Sequence, residues 1–395
     1  METFRSLPRA FWVLFAGTLV NRTGGFALVF LAIYLTEEHG LTAPQAGAVL
    51  SLYGLAAITG GPIGGALADR IGRRPTLVAS LVAGGSSMLV LGLAPNTTAV
   101  VFAAAAAGLL YEMYRPVVSA AVTDLVEPEH RPRAFGLIYW AINLGAAIAP
   151  VVGGWIAAHS YRLLFTADAA TTIAFGVIIW LALPETKPTV AASPHDEGMR
   201  AVLRDRPFLA LCALTLLFSI VFFQAFGGLQ IDLRAHGFAT TTIGWLFAIN
   251  GALIIVVQPL ITSFAAKQPR TRLLAAGSLI VGVGYAMNAW AGADTWMRAM
   301  SLVVWTLGEI IFVPGSWTLA ADMAPAALRG RYQGVFSVAY TGGFAAAPAI
   351  GGSVIGFAGA WWLWIGCGIA GAAVAAGFAA FARLTSPADR AGSET

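Results

Sequence analysis

The sequence predicts an all-α membrane protein with twelve transmembrane helices in two pseudo-symmetric six-helix bundles. Three observations carry this prediction. The chain has 395 residues, of which 58% are hydrophobic and only 11% are charged, whereas a soluble domain carries about 25% charged residues. Its apolar runs are each roughly 20 residues or longer, which is enough to cross a hydrocarbon layer of about 30 Å. A set of residues in the first half also recurs in the second half at one constant offset.

The apolar runs define the helices and the domain boundaries. The polar interval in the middle of the chain predicts an N-terminal bundle over residues 1–184, a cytoplasmic linker over 185–206 and a C-terminal bundle over 207–395. The first helix is too long for the apolar core of a signal peptide and is expected to stay in the membrane. The predicted helices cover residues 10–36, 44–67, 75–94, 98–122, 134–158, 162–183, 207–232, 240–265, 272–291, 298–320, 332–355 and 361–382.

The recurrence indicates that one six-helix unit was duplicated and fused. Two like halves related by a pseudo-two-fold axis are typical of secondary transporters that bind substrate at the membrane midplane. The residues that recur 198 positions later are Asp124 as Asp322, Arg131 as Arg329, Arg133 as Arg331, Gly145 as Gly343, Pro150 as Pro348, Gly153 as Gly351 and Gly154 as Gly352.

The placement of positive charge predicts the orientation. Of the 23 Lys and Arg residues, 18 fall in the even-numbered gaps between helices or in the two tails. The opposite loops hold Arg162, Arg234 and Arg298. The positive-inside rule therefore places both termini in the cytoplasm. The expected location is the plasma (inner) membrane, with several passes. The basic pI of about 9.3 is explained by this topology, so nucleic acid is not an expected partner.

The loop between helices 2 and 3 carries a motif. It reads Gly65-Ala-Leu-Ala-Asp69-Arg70-Ile-Gly72-Arg73-Arg74, which resembles the signature loop of the major facilitator superfamily, Gly-x-Leu-x-Asp-Arg-x-Gly-Arg-Arg/Lys. Helix count, orientation, central linker and repeat extend the resemblance over the whole chain. It implies a gate in which the loop residues act with Asp124 of helix 4. The loop residues assigned to the gate are Gly65, Asp69, Arg70, Gly72 and Arg73. The alternative is topological anchoring by the arginines alone.

Helix 5 carries a second motif. Gly145-x-x-x-Ala149-Pro150-x-x-Gly153-Gly154 resembles the antiporter motif of the superfamily and departs from it at Ala149. The resemblance implies exchange of substrate for protons. A second copy on helix 11 indicates that the motif is also architectural, because proline kinks a helix and glycine permits close helix contact.

Charged and polar residues at membrane depth are the candidate site. A charge there costs a few kcal/mol unless it is paired or hydrated. The resemblance implies that helices 1, 4, 7 and 10 line the central cavity, and these helices carry most of the deep charges. Asp168 on helix 6 lies near the outer end and is expected to cap or pair locally. The candidate cavity residues are Arg22, Arg115, Gln224, Gln230, Asn143, Tyr139, Trp140, Tyr111 and Trp305.

Two carboxyl groups are candidates for proton coupling, Glu309 and Glu112. Glu309 has no cationic residue one turn away, and the segment Gly308-Glu309-Ile-Ile-Phe-x-Pro314 is similar to multidrug:proton antiporters with an embedded acid on helix 10. The alternative for Glu309 is a buried acid satisfied by Trp305 or a hydroxyl. Glu112 lies three residues before Arg115 on one helix face and can form a structural ion pair.

The sequence argues against an enzyme. No His-Glu-x-x-His occurs, and neither lysine, Lys187 or Lys267, follows a glycine as in a Walker loop. Cys212 and Cys367 lie within helices, so no disulfide framework or metal site is indicated. Without a nucleotide site, a proton gradient is the expected energy source and no cofactor is expected.

We therefore expect a monomeric, proton-coupled exporter of hydrophobic or cationic small molecules that works by rocker-switch alternating access. Its partners are a small-molecule substrate, protons and the lipid bilayer. A proton-coupled importer of a nutrient or metabolite is the alternative. A transport-like membrane sensor or lipid-handling protein is a third possibility.

Overall fold

The computed structural model describes residues 7–186, 197–265, 268–325 and 328–384, and within these ranges every regular element is a helix. The twelve predicted membrane helices are confirmed, with ends that differ from the predicted ones by a few residues, and we number them as spans 1 to 12. The spans are Arg9–Glu37, Ala43–Ile71, Arg73–Gly92, Thr97–Leu125, Pro128–Ala157, Tyr161–Ala182, Arg206–Ala235, Thr240–Ile261, Arg270–Ala291, Thr295–Met323, Arg329–Phe357 and Ala360–Arg383.

Short polar loops start several spans through side-chain caps. Asn96 Oδ1 accepts the N–H of Ala99 at 2.9 Å at the start of span 4, and Asp294 Oδ1 accepts the N–H of Trp296 at 2.8 Å at the start of span 10. Span 2 begins with a capping box between Thr42 and Gln45. These caps satisfy amides that have no partner within the helix.

Spans 1 and 7 are broken, which the sequence analysis did not predict. Span 1 consists of the helices Arg9–Thr23 and Ala27–Glu37. Span 7 consists of Arg206–Phe222 and Gly228–Ala235, joined by a 3-10 turn. The breaks lie at corresponding places in the two repeats. Each contains a glycine pair, Gly24–Gly25 in span 1 and Gly227–Gly228 in span 7, and paired glycines weaken a helix.

Span 4 is interrupted as well. Its two helices, Thr97–Glu112 and Tyr114–Leu125, meet at Met113. Pro116 has no N–H to donate to the carbonyl of Glu112, which is the position four residues before it. The interruption therefore lies directly beside the two charged residues of this span, Glu112 and Arg115.

The contacts divide the chain into two units. The first contains Met1–Ala192 and Leu233–Ala252, and the second contains Ser193–Asp232 and Leu253–Thr395. The first unit thus includes the beginning of span 8, where Thr240 Oγ1 donates to the carbonyl of Gly154 at 3.1 Å. The predicted boundaries at 184 and 207 stay a prediction. Residues 187–196 of the predicted linker lie outside the described residues, and a short helix, Glu197–Val202, follows them.

The packing pattern is the same in both repeats. Span 3 packs on span 6 and span 1 on span 5 in the first unit, as span 9 packs on span 12 and span 7 on span 11 in the second. Glycines allow the backbones to touch: a Cβ on Gly108 would overlap the carbonyl of Tyr53. Similarly, a Cβ on Gly284 would lie within 2.8 Å of the backbone of Trp305. Such contacts replace the hydrophobic effect as the force that joins helices in lipid.

Candidate functional site

The loop between spans 2 and 3 forms a charged cluster around Arg73. Gly72 has a φ of +110°, a backbone conformation that favours glycine, and it turns the chain so that Arg73 begins span 3. Arg73 Nη1 lies 2.6 Å from Asp69 Oδ1, and its Nε lies 3.1 Å from Asp124 Oδ2. The structure thus brings together three of the residues assigned to a gate. Their gating role stays a prediction.

Glu185 also belongs to this cluster, and the sequence analysis did not include it. Its carboxylate accepts the backbone N–H of Arg73 at 2.8 Å and that of Arg74 at 3.2 Å. These are free amides at the start of span 3, where negative charge is favourable. The signal in the sequence was an acidic residue directly after span 6, but only the fold brings it to residue 73. Of the other two gate residues, Arg70 is exposed, and no heavy atom lies within 4 Å of a Cβ placed on Gly65.

Glu112 and Arg115 form an ion pair beside the interruption of span 4. Arg115 Nε lies 3.0 Å from Glu112 Oε2, and the Glu112 side chain is 14% exposed against 53% for Arg115. The pair is thus open on the arginine side. Tyr111 precedes it and is buried, with its ring in edge contact with Tyr114.

Arg22 lies in the last turn of the first helix of span 1. Its guanidinium lies over the ring of Tyr114, with the Cζ atom 5.7 Å from the ring centroid, which is within range of a cation–π interaction. Its Nε atom is buried and has no hydrogen-bond partner among the described residues. Arg22 therefore retains donor capacity next to the break in span 1.

The glycine-proline motif of span 5 packs against that break. A Cβ on Gly145 would lie 2.7 Å from the carbonyl carbon of Arg22, and one on Gly153 would lie 3.1 Å from Phe26 Cβ. Gly154 packs on the start of span 8, where a Cβ would overlap the backbone of Thr240. The backbone of Pro150 packs against Gly244 of the same span.

The second copy of the motif packs against the break in span 7. A Cβ on Gly343 would lie 2.6 Å from the carbonyl carbon of Ser219, and Gly227 packs on Pro348. Gln224 Nε2 donates to the carbonyl of Ala347 at 2.9 Å. Both copies therefore hold a broken span, which agrees with the architectural interpretation.

The second unit contains the remaining deep polar residues. Gln224 and Gln230 are each at most 1% exposed. Gln224 Oε1 and both amide atoms of Gln230 have no hydrogen-bond partner among the described residues. Gln224 lines a cavity of about 210 Å³ whose other walls are apolar and include Leu217, Ile350, Trp362 and Cys367.

Glu309 lies half-buried on span 10. Its carboxylate interacts electrostatically with the phenol of Tyr285, which donates to the carbonyl of Phe222 at 2.6 Å, the last residue before the break in span 7. Trp305 stacks on Tyr285 with ring centroids 5.5 Å apart. Its Nε1 has no hydrogen-bond partner among the described residues, so Trp305 does not hydrogen-bond Glu309 here, and the alternative of a hydroxyl partner for Glu309 stays open.

The candidate residues of span 5 differ in burial. Asn143 is buried, and its Nδ2 donates to the carbonyl of Tyr139 at 2.8 Å. Tyr139 and Trp140 are exposed, and Trp140 stacks on Phe15 of span 1 with ring centroids 6.4 Å apart. Only the two aromatic side chains are thus accessible from outside the first unit.

Two buried acids, Asp168 and Asp232, make contacts with distant segments that the sequence did not indicate. Asp168 is expected to cap locally, and it does cap, but it caps a half-helix of span 1 that lies 141 residues away. Arg298 is not a loop residue: it lies in the first turn of span 10, is 0% exposed and pairs with Asp232 at 2.6 Å. Neither partner could be read from local sequence, because both contacts join distant segments.

Comparisons with known proteins agree with this architecture. The family model described as Major Facilitator Superfamily matches residues 14–348 and 229–395. The multidrug resistance protein MdtH of Salmonella arizonae is 28% identical over 343 residues, which cover 86% of this chain and 82% of MdtH. MdtH of Escherichia coli is also 28% identical, over 86% of this chain and 83% of its own length.

Solved structures share the fold at low sequence identity. A POT family transporter in complex with 5-aminolevulinic acid has a TM-score of 0.80 at 19% identity, covering 96% of this chain and 97% of that protein. The peptide transporter POT in complex with sulfate has a TM-score of 0.79 at 19% identity, covering 95% and 94%. These likenesses concern the fold. Together with the family match and the twelve spans, they show that the chain is a multi-pass membrane protein and belongs to the Major Facilitator Superfamily of transporters.

Proposed function

We propose that this protein is a proton-coupled exporter of hydrophobic or cationic small molecules in the inner membrane, with both termini on the cytoplasmic side. Proton flow into the cell supplies the energy, and the protein needs no enzymatic activity or cofactor. Alternating access occurs by a rocker-switch movement. The observation that carries this proposal is the similarity to the multidrug resistance protein MdtH over 86% of the chain.

Features of the candidate site support the proposal. The exposed aromatic residues Tyr139 and Trp140 and the apolar cavity beside Gln224 suit lipophilic compounds. Aromatic faces also attract cations. The deep acids Glu112 and Glu309 provide carboxylates that can neutralise a cationic substrate or bind a proton.

We assign the coupling proton to Glu309. The residue is half-buried on span 10, and its partner in the repeat, 198 residues earlier, is Tyr111, so the acid is a feature of one half only. Its charge acts on Tyr285, whose hydroxyl holds the end of the first helix of span 7. Protonation of Glu309 from outside would remove that charge and favour substrate release. Deprotonation toward the cytoplasm would restore the charge.

Transport in proteoliposomes with an imposed pH gradient tests the proposal. A fluorescent lipophilic cation is the test substrate, and a neutral metabolite mixture is the comparison. Wild-type protein is expected to move the cation against inward proton flow. Glu309→Gln should abolish gradient-driven movement while cation binding is retained. Full gradient-driven transport by this variant would overturn the assignment of Glu309.

The same assay decides between export and import. An importer of a nutrient or metabolite, the alternative function, would move a single polar compound in the direction of the proton flow and ignore the lipophilic cation. Asp294→Asn, which changes an acid at a helix cap, serves as a matched control because it removes a carboxylate from the N-terminal cap of the same span, about four helical turns before Glu309. It should transport at the wild-type rate.

A further inference from the structure

Asp168 of span 6 is the most deeply buried carboxylate of the first unit, and the proposed mechanism does not use it. The residue is 2% exposed. Its Oδ2 accepts the backbone N–H of Ala27 at 2.8 Å, and Ala27 is the first residue of the second helix of span 1. The N–H of the preceding residue, Phe26, is bonded to the carbonyl of Gly24 at 2.9 Å. Asp168 therefore satisfies a backbone donor at the break in span 1.

The break needs such a partner. The first amides of a helix have no acceptor within the helix, and an unsatisfied backbone group is strongly unfavourable in the bilayer core, where no water can bond it. The glycine pair that opens the break packs closely on span 6, because a Cβ on Gly24 would lie 2.6 Å from Cβ of Thr171. Span 6 thus supplies both the surface and the charge that stabilise the break.

None of the described cationic residues forms a salt bridge with this carboxylate. The cation that acts on it electrostatically is Arg22, whose guanidinium lies over the ring of Tyr114. The ionised form of Asp168 is therefore stabilised by the Ala27 amide and by the dipole of the half-helix, with Arg22 in support.

A chain of hydrogen bonds leads from Asp168 to span 4. Asp168 Oδ1 lies 3.5 Å from the Thr172 hydroxyl, Asn21 Nδ2 donates to that hydroxyl at 2.9 Å, and Tyr114 OH donates to Asn21 Oδ1 at 3.0 Å. Tyr114 is the neighbour of Arg115, which pairs with Glu112. The polar contacts thus connect the break in span 1 with the interruption in span 4.

The titratable surroundings of Asp168 are few. Span 1 contributes Arg22. Span 3, which packs along span 6, has no titratable residue between positions 75 and 92, and span 5, which also touches span 6, has only Tyr139 between positions 134 and 157. Tyr53 of span 2 and Tyr111 of span 4 also interact electrostatically with Asp168. The charged groups that act on these two tyrosines in turn include Glu112 and Arg115.

We propose that Asp168 is a proton-binding site coupled to the shape of span 1. The carboxylate is ionised while the break is formed and the Ala27 amide donates to it. If span 1 straightens, that amide binds within the helix, the carboxylate loses this donor, and it takes up a proton. By linkage, proton binding at Asp168 favours the straighter span to the same extent. The role of this site in transport rests on the proposed proton coupling, but the site itself does not.

Asp168 has no acidic counterpart in the second half of the chain. The residue 198 positions after Asp168 is Gly366, and the break in span 7 is held by Tyr285 and Gln224 instead. Both halves therefore contain a broken span, but the acid at position 168 occurs in the first half alone. Glu309 likewise occurs in the second half alone.

Infrared titration of the full-length protein in liposomes, without substrate or gradient, tests the proposal. Wild-type protein should show a protonated-carboxyl C=O band that grows as the pH falls and that is lost in Asp168→Asn but kept in Glu309→Gln and Glu112→Gln. Asparagine is isosteric and its carbonyl can still accept the N–H of Ala27, so the variant should fold. Identical bands in wild type and Asp168→Asn would overturn the proposal.

Two further measurements keep the test independent of that variant. Thr172→Val retains Asp168 but removes its hydroxyl neighbour, so the midpoint of the band should change; an unchanged midpoint would overturn the assignment. Hydrogen exchange of residues 24–27, corrected for the intrinsic rate, should slow as the band grows, because a straighter span bonds these amides within the helix. Protection that stays constant through the titration would contradict the coupling. Failure of Glu309→Gln in the transport assay would overturn the proposed function without affecting either measurement.

Discussion

Arg298 and Asp232 form a buried ion pair in the second unit, with Arg298 Nη1 2.6 Å from Asp232 Oδ2 and both side chains at most 2% exposed. The pair is fully hydrogen-bonded: Arg298 also donates to Asn288 Oδ1 and to the carbonyl of Gly292, and Asp232 accepts the indole N–H of Trp364. It joins spans 7, 9, 10 and 12. The desolvation penalty of two buried charges is large, so this network maintains one specific arrangement of the four spans.

Breaking this pair from one side should destabilise the protein strongly. Arg298→Ala leaves the Asp232 carboxylate buried without a cation, and a loss of about 3–5 kcal/mol is typical of such a change. Thermal unfolding in detergent measures it. The double variant Asp232→Asn with Arg298→Gln leaves no charge and should be more stable than Arg298→Ala alone. If the single variant unfolds at the wild-type temperature, the pair does not have this role.

Gly145 should not tolerate alanine, whereas Gly136 on the same span should. A Cβ on Gly145 would lie 2.7 Å from the carbonyl carbon of Arg22, while a Cβ on Gly136 would have no neighbour within 4 Å. We expect Gly145→Ala to lose about 1–3 kcal/mol of stability, as overpacking does. Gly136→Ala should be neutral or gain about 0.5–1 kcal/mol, because alanine favours the helix. Equal unfolding temperatures for the two variants would contradict this.

Arg73 should be needed for transport more than either of its two acids alone. It contacts both Asp69 and Asp124, so Arg73→Gln removes two ion pairs at once. The Asp69 side chain is 73% exposed, and exposed pairs contribute about 0–1 kcal/mol. We expect at least a tenfold loss of transport rate for Arg73→Gln and a smaller loss for Asp69→Asn, at matched protein levels in proteoliposomes. A larger defect in Asp69→Asn would show that Asp69 acts through another partner.

The Glu112–Arg115 pair should contribute little to stability. It joins residues three apart, and the arginine is half exposed, so a coupling of about 0.2–0.5 kcal/mol is expected from a double-mutant cycle. If the pair serves binding, Glu112→Gln should reduce the affinity for a lipophilic cation while the unfolding temperature changes by little. A large stability loss with unchanged affinity would assign Glu112 a purely structural role.

His39 should make the stability of the loop after span 1 depend on pH. Partial burial lowers the pKa of His39 below its usual value of 6.5, against the opposing charge of Glu38. The folded state therefore binds fewer protons than the unfolded state, so stability should fall as the pH drops through about 6.5 and below. Tyr34 OH donates to the carbonyl of Leu91, so His39 Nε2, 2.8 Å from that hydroxyl, must be the donor.

The comparison that checks this is the unfolding temperature at pH 7.5 and 5.5. His39→Gln keeps a side-chain donor without a titrating group, so it should show a smaller decrease between the two pH values than wild type does. An equal decrease in both proteins would show that other groups cause the pH dependence.

The twelve spans could be predicted because membrane helices are specified by length and hydropathy, which are local properties. The repeat was also readable, since Pro150 and Pro348 or Gly145 and Gly343 need only be aligned. The breaks were not predicted, although Gly24–Gly25 and Gly227–Gly228 were visible, because a glycine pair weakens a helix without deciding whether it breaks. That decision depends on partners such as Asp168 and Tyr285, which come from distant spans.

Part of the candidate site could also be predicted, because some of its contacts are local in sequence. Arg73 with Asp69 and Arg115 with Glu112 are neighbours within three or four residues, and helical spacing places them on one face. No local pattern indicates a contact between segments far apart in the chain. Such contacts are those of Glu185 with Arg73, of Asp168 with Ala27 and of Asp232 with Arg298. An orphan polar atom such as Arg22 Nε becomes apparent only when its surroundings are known.

The breaks in spans 1 and 7 interact with acidic side chains in different ways. The carboxylate of Asp168 accepts the amide that starts the second helix of span 1, so a proton arriving there would weaken a charge-assisted hydrogen bond to the backbone itself. Glu309 acts on the break in span 7 through the phenol of Tyr285, so a proton there would only alter the field around an intact hydrogen bond. The first half of the duplicated chain would thus respond to acid by a change in bonding, and the second half by a graded change in potential.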